Sequence, residues 1–322
     1  MTRRSPPRPA ASISSMRSIR TIRSLRSLRS LRSIRSWRAF TLVELLVVVA
    51  IIVLVVSLLL VAIAAARSAS SRAGDVSTLR QLGAAHAAYA TDHNQRLLPG
   101  YVNVDLQNTL PIKTELADGT IVAPQAAAGY VWRLAPYADR NWMSFHRLAD
   151  ASTRARLSAK YAEGDLVEIG LQPSYGLNSI FVGGNSDDGG SDATTHHPWN
   201  TQGNETIAAT RVTAIRNPAQ LVLFAPAVLS GTSASANAAN DAWHELRAPY
   251  LKVQQWSIGS GGTVVAASAA ATPAGIPRLG RGDTAIPIAF CDGSAGTVRL
   301  EELSEDMRRW APFADGPLWR VP

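Results

Sequence analysis

Cysteine is almost missing from this chain: Cys291 is the only one among 322 residues. A single thiol forms no intrachain disulfide and excludes a Cys-based metal site or redox pair. Its setting in the apolar run 286–291 predicts a buried thiol and not a nucleophile. A disulfide-poor chain can still be exported, so cysteine usage leaves the compartment open. Acidic residues are missing from positions 1–39, which hold eleven Arg and no Lys. Taking those eleven from 32 Lys+Arg leaves 21 basic against 24 acidic residues, a net of −3, so the formal +8 of the whole chain belongs to this N-terminal stretch. Spread over the chain, such a charge would suggest nucleic-acid binding; confined here, it gives the rest no such role. Charge of either sign is missing from residues 45–66, where Ser57 is the only polar side chain. The sequence also lacks Gly-x-Ser-x-Gly, His-Glu-x-x-His and a phosphate loop. Gly259-Ser260-Gly261-Gly262 has no Lys behind it and reads as a turn. No catalytic constellation is present, and the chain is not read as an enzyme.

What the chain does have begins with those arginines. Seven triplets of Ser or Thr, a large apolar residue and Arg run from Ser18-Ile19-Arg20 to Ser36-Trp37-Arg38. A period of three fits neither the helical 3.6 nor the strand period of 2, so this is a low-complexity segment, flexible in water. Against an anionic leaflet each Arg contributes about 1 kcal/mol, which suits retention on the cytoplasmic side and guidance to the membrane; a nucleic-acid-binding arm is the rival reading. Met16 stands just before the repeats and is a second candidate start.

Residues 40–66 read FTLVELLVVVAIIVLVVSLLLVAIAAA. The 22 residues from 45 to 66 would span about 33 Å as a helix, against a bilayer core of about 30 Å. That is longer than the apolar core of an ordinary secretory signal, roughly 7–15 residues. Eleven Arg precede the segment and only Arg67 and Arg72 follow closely, which predicts a cytoplasmic N-terminus and an exported body. Glu44 is the anomaly. A carboxylate near the start of such a helix is costly away from an interface and calls for a positive partner; a cut before Phe40 would place a new α-amino group four residues away. The alternative is headgroup depth at a helix N-terminus.

The run Arg38-Ala39-Phe40-Thr41-Leu42-Val43-Glu44-Leu45-Leu46-Val47-Val48 resembles the processing site of type IV prepilins and type II secretion pseudopilins. The resemblance implies cleavage between Ala39 and Phe40 by a prepilin peptidase that also N-methylates the new amine, with Glu44 matching the family's glutamate. The family usually has Gly before the cut; Ala39, the next smallest residue, implies slower or normal cleavage. Weaker similarity to large pseudopilin-like proteins covers residues 75–99, Tyr175-Gly176-Leu177-Asn178, Asn217-Pro218, Asp292-Gly293 and Asp306-Met307-Arg308-Arg309-Trp310. The hallmark there is His, nine residues, then Asp-Gly. Here Gly282 stands in place of the His, so no role tied to that His carries over.

The expected organisation is a basic leader over 1–39, a transmembrane or filament-core helix over 40–66, a helix extension over 67–99 and an exported globular domain over 100–322. The fold class is α+β and pilin-like, a long N-terminal helix packed on an antiparallel sheet with long loop insertions. Val76, Leu79, Leu82, Gly83, His86 and Tyr89-Ala90 share one helical face, and His86 among alanines reads as a core residue. The Ser-rich stretch 67–72 predicts a hinge, and Asn94 with Pro99-Gly100 ends the helix. Strands are expected at 121–122, 130–134, 166–171, 179–182, 221–224, 253–258, 263–265, 286–291 and 297–300, and a helix at 147–162. Asp292-Gly293 between two strands predicts a type I′ hairpin. Trp132, Trp142, Trp199, Trp243, Trp256, Trp310 and Trp319 are expected in the core or at subunit contacts. Residues 183–203 and 230–240 read as surface loops.

In the first loop, Asn185, Asp187, Asp188 and Asp192 make Ca²⁺ the candidate cofactor, although the spacing and terminal Glu of an EF-hand are absent. His196-His197 with His244-Glu245 form an alternative Zn²⁺ set, and a solvated polar loop is the plain alternative. The expected function is that of a pseudopilus or pilus subunit. Its partners are the prepilin peptidase/N-methyltransferase, other pilin subunits and the inner membrane, with no nucleic acid bound by the mature domain. Alternatives are a non-polymerising single-span envelope protein with a ligand-binding domain, and an anchored hydrolase.

Overall fold

The computed structural model describes residues 41–109, 114–116, 118–147, 151–185, 207–229, 242–251, 253–260, 264–267, 275–279 and 284–321. The chain divides into two compact units, Met1–Leu59 and Leu60–Pro322. One helix, α1 (Leu42–Asp92), contributes to both.

In the first unit every described residue is exposed. Val and Ile are only moderate helix formers in water. A helix nevertheless pairs all of its own backbone groups, the condition that a lipid core imposes. By length and composition α1 is able to cross a membrane.

The second unit is α+β. Its part of α1 is helical through Ser68, Ser70 and Ser71, so the expected hinge is regular helix. From Asp75 onward the helix turns one face inward: Leu79, Leu82, Gly83, Ala85, His86 and Ala90 are buried at three- and four-residue spacings. It ends at Asp92. Asn94 and Gln95 then take positive φ, and the Gln95 N–H bonds the Ala90 carbonyl at 2.7 Å. Short helices follow: α2 (Val104–Thr109), α3 (Tyr130–Leu134), α4 (Ala151–Glu163) and α5 (Val167–Leu171).

The main sheet is antiparallel with strand order β1 (Tyr175–Leu177), β2 (Val222–Leu229), β6 (Ala285–Phe290), β7 (Ala295–Arg299); β5 (Gly275–Pro277) also pairs β2. Strands β3 (Trp256–Ile258) and β4 (Val264–Ala266) form a separate ribbon. Central β2 is buried from Val222 to Ala227, as its unbroken apolar sequence requires. Phe224 and Ala289 join Leu79 and Leu82 of α1 in one apolar cluster. Val222, Ala225, Ile286 and Ile288 join Trp256, Trp310 and Leu303 of α6 (Leu300–Glu305) in a second. A third gathers Val122, Trp132, Leu157 and Ile169.

Several expectations are corrected. Residues 130–134 and 167–171 are helical, with Leu166 as the N-cap of the second helix, and neither expected strand at 130–134 or 166–171 forms. Tyr130–Leu134 is buried on all sides, and a short apolar run so placed carries no period to tell helix from strand. Residues 179–182 form a turn, closed by the Val182 N–H on the Asn178 carbonyl. At 121–122 there is a single bridge, Glu115 to Ile121. Trp132, Trp256 and Trp310 are fully buried, Trp142, Trp243 and Trp319 half-buried, and Trp199 lies outside the described residues. So do residues 186–203 and 230–240 of the two expected loops.

Candidate functional site

At the start of α1, Thr41 and Glu44 satisfy one another. Glu44 Oε2 accepts the Thr41 N–H and the Thr41 hydroxyl, each at 2.9 Å, and Thr41 Oγ1 accepts the Glu44 N–H at 3.2 Å. This reciprocal pair is a capping box, with Thr41 as N-cap and Glu44 at the third helical position. The signature Thr-x-x-Glu is readable in the sequence. Glu44 Oε1 takes no part in the cap. Ala39 and Phe40 lie outside the described residues.

Asn185, named above in a Ca²⁺ set, is buried. Its Oδ1 accepts the Tyr101 N–H at 2.9 Å, and its Nδ2 donates to Glu245 Oε2 at 2.6 Å. Glu245, assigned to a Zn²⁺ set, also accepts from Arg247 Nε at 2.7 Å. Asp187, Asp188, Asp192, His196 and His197 lie outside the described residues. Among the described residues no group of three His, Cys, Asp or Glu side chains is placed to hold a metal. His244 is buried between the rings of Tyr101 and Trp243, at 5.6 and 4.6 Å, and its Nδ1 has no partner. Burial pulls its pKa down to about 4, so the ring is neutral at pH 7.

Arg133 of α3 is the other unusual group beside this cluster. Its Nη2 donates to the carbonyls of Pro99, Gly100 and Ala128, while Nε and Nη1 have no partner. Burial lowers its pKa to about 10, which leaves it charged at neutral pH. Ser179 Oγ, also buried and unpartnered, lies where a side chain on Gly100 would have to go.

The remaining sequence motifs have structural roles. Gly293 takes φ +84°. Its N–H bonds the Phe290 carbonyl at 3.0 Å and the Phe290 N–H bonds the Ser294 carbonyl at 2.8 Å, closing a three-residue loop. The expected two-residue type I′ turn would need positive φ at both central residues; Asp292 instead accepts the Ser294 N–H and hydroxyl on Oδ1. Cys291, expected to be buried, is half-buried, and desolvation raises its thiol pKa. The Tyr175 hydroxyl donates to Asp75 of α1 at 3.2 Å. Gly176 lies so close to the Glu245 carbonyl that a Cβ would sit 2.7 Å from it. Asn178 Nδ2 ties the carbonyls of Val222 and Trp310, both at 2.9 Å. Asp306 caps its own turn by accepting the Arg308 N–H at 3.0 Å. His86 packs edge-on to Phe224 at 6.2 Å with Nε2 unpartnered, and its pKa is lowered to about 4 by burial.

No family model, curated protein or solved structure matches the chain. What it does must be argued from its own residues.

Proposed function

We propose that this chain is a structural subunit of a type II secretion or type IV pilus-type filament. In this reading it is cut between Ala39 and Phe40 and N-methylated on the new amine. It is held in the inner membrane by α1, with its leader in the cytoplasm and its domain outside. One observation carries the reading. Eleven Arg precede Phe40-Thr41-Leu42-Val43-Glu44, and behind it α1 continues as an uncharged helix over 45–66 with every one of those side chains exposed. An exposed apolar surface of that length requires lipid or other copies of itself. The resemblance noted above supplies the mechanism: helices leave the bilayer, pack together, and Glu44 neutralises the Phe40 amine of a neighbour in an apolar core. Glu44 Oε1, unused by the cap, is the atom that would take that second partner.

A second reading has its own support. Arg133 Nε and Nη1, Ser179 Oγ and His244 Nδ1 are buried without partners, which suits a non-polymerising, single-span envelope protein whose domain binds a ligand. Incorporation into filaments separates the two readings. The direct test of the first is mass spectrometry of the protein from cells with an active prepilin peptidase. A mature start at methylated Phe40 supports it, and an intact leader contradicts it.

A further inference from the structure

The second unit grips α1 at two places of different chemistry. Over residues 60–74 the helix buries no side chain. Asp75 is the first to go inside, at 6% exposure, and a carboxylate is an unusual residue to lead a helix into a core. Its two partners come from distant segments. Arg147, just past a 3-10 turn at Trp142–His146, donates from Nε at 3.0 Å, and the Tyr175 hydroxyl of β1 donates at 3.2 Å. The backbone carbonyl of Tyr175 in turn accepts the Tyr130 hydroxyl of α3. Gly74 makes room for this arrangement, since a Cβ there would collide with the Arg147 guanidinium.

Eight residues along the helix, about 12 Å, the grip is apolar. Gly83 meets Gly293 of the β6–β7 turn, where an added Cβ would be 3.4 Å from the Gly293 Cα. Leu79 and Leu82 are fully buried between the two places.

We infer that Asp75, Arg147 and Tyr175 form a latch on the first buried turn of α1, and that this latch opens while the seat at Gly83 stays closed. Three features make the first grip the weaker one. Arg147 is 39% exposed, so water competes for the ion pair. Burial penalises the Asp75 charge, and Arg147 and Tyr175 only oppose that penalty. The helix is also locally soft: Gly74 is a poor interior residue, and Thr78 Oγ1 donates back to the Gly74 carbonyl at 3.1 Å, a bond that tends to bend helices. With the latch open, docking would begin at Leu79, and residues 75–78 would join the undocked stretch. The helix then has two docked lengths, one turn apart. This inference does not depend on processing or assembly.

Hydrogen exchange with mass spectrometry on the full chain in detergent micelles tests it. In the wild type, amides of residues 75–79 should exchange faster than those of 82–90. Tyr175→Phe removes one hydroxyl and keeps the fold; Asp75→Asn keeps the shape and removes the charge. Each should raise exchange at 75–79 by about tenfold and leave 82–90 unchanged. Equal wild-type protection of the two segments, a parallel rise in both, or no change in Tyr175→Phe would overturn the latch, because α1 would then dock as one unit.

Discussion

Asn185 donates its side-chain amide to Glu245 Oε2 at 2.6 Å while its own Oδ1 accepts the Tyr101 N–H at 2.9 Å. The two bonds fix the amide in one orientation. Asn185→Asp would set a second carboxylate against Glu245 inside the protein, with no donor between them. A loss of about 2–4 kcal/mol is expected, seen as a lower Tm in thermal denaturation at pH 7. If Asn185 were a Ca²⁺ ligand, the same change would leave the apo Tm intact and steepen its rise with millimolar Ca²⁺; that pattern contradicts the assignment made here.

Acid sensitivity follows from three buried histidines. His86, His146 and His244 each have a folded pKa lowered to about 4, chiefly by burial, against 6.5 for the free side chain. The folded state therefore refuses a proton that the unfolded state takes up. Stability is fully present above pH 6.5 and is lost as pH falls toward 4, by up to about 3 kcal/mol per histidine at the acid end. Asp75, whose pKa burial raises, works in the opposite direction. The Tm should fall steadily between pH 7 and 4.5, and His86→Leu should flatten about a third of that fall. A wild-type Tm independent of pH over this range would contradict the assignment.

Two helical glycines should answer differently to the same change. At Gly83 an added Cβ would reach Gly293 at 3.4 Å, an ordinary contact, and alanine favours the helix by about 1 kcal/mol. Gly83→Ala should therefore hold or raise the Tm, whereas Gly83→Leu should lower it by pushing the β6–β7 turn off α1. At Gly170 of α5 a Cβ would strike the Ala126 carbonyl, so Gly170→Ala should lower the Tm. Differential scanning calorimetry of the three variants decides it.

The legible parts of the sequence were those with a period or a punctuation mark. The inward face of α1, its stop at Asn94, and strands β2, β6 and β7 were readable because apolar spacing and Asp-Gly announce them. The runs that form α3 and α5 carry no such mark, because Tyr130–Leu134 is enclosed on all sides and Val167–Leu171, with only Ile169 and Gly170 buried, is too short to show a period. Asp-Gly marks the place of the β6–β7 turn but not its type, since it fits both a two-residue loop and a loop with glycine in its last position. The Tyr175–Asp75 bond joins residues 100 positions apart and leaves no local trace. The capping box is local and legible as Thr-x-x-Glu, but the same glutamate also reads as a charge at the edge of an apolar helix, and the two roles share one residue.

The central claim is that Glu44 serves assembly through a neighbour's Phe40 amine. Glu44→Val also deletes the Thr41 cap, a loss of about 1 kcal/mol of local helix stability, so Glu44→Gln accompanies it to keep a capping side chain without the charge. Both variants should insert and be cut at Phe40. The measurement is the amount of mature protein in sheared filaments relative to the membrane. It should fall by about tenfold or more in both variants, as expected for a buried amine left unpaired. Wild-type filament levels in Glu44→Val would contradict the account and favour a single-span envelope protein.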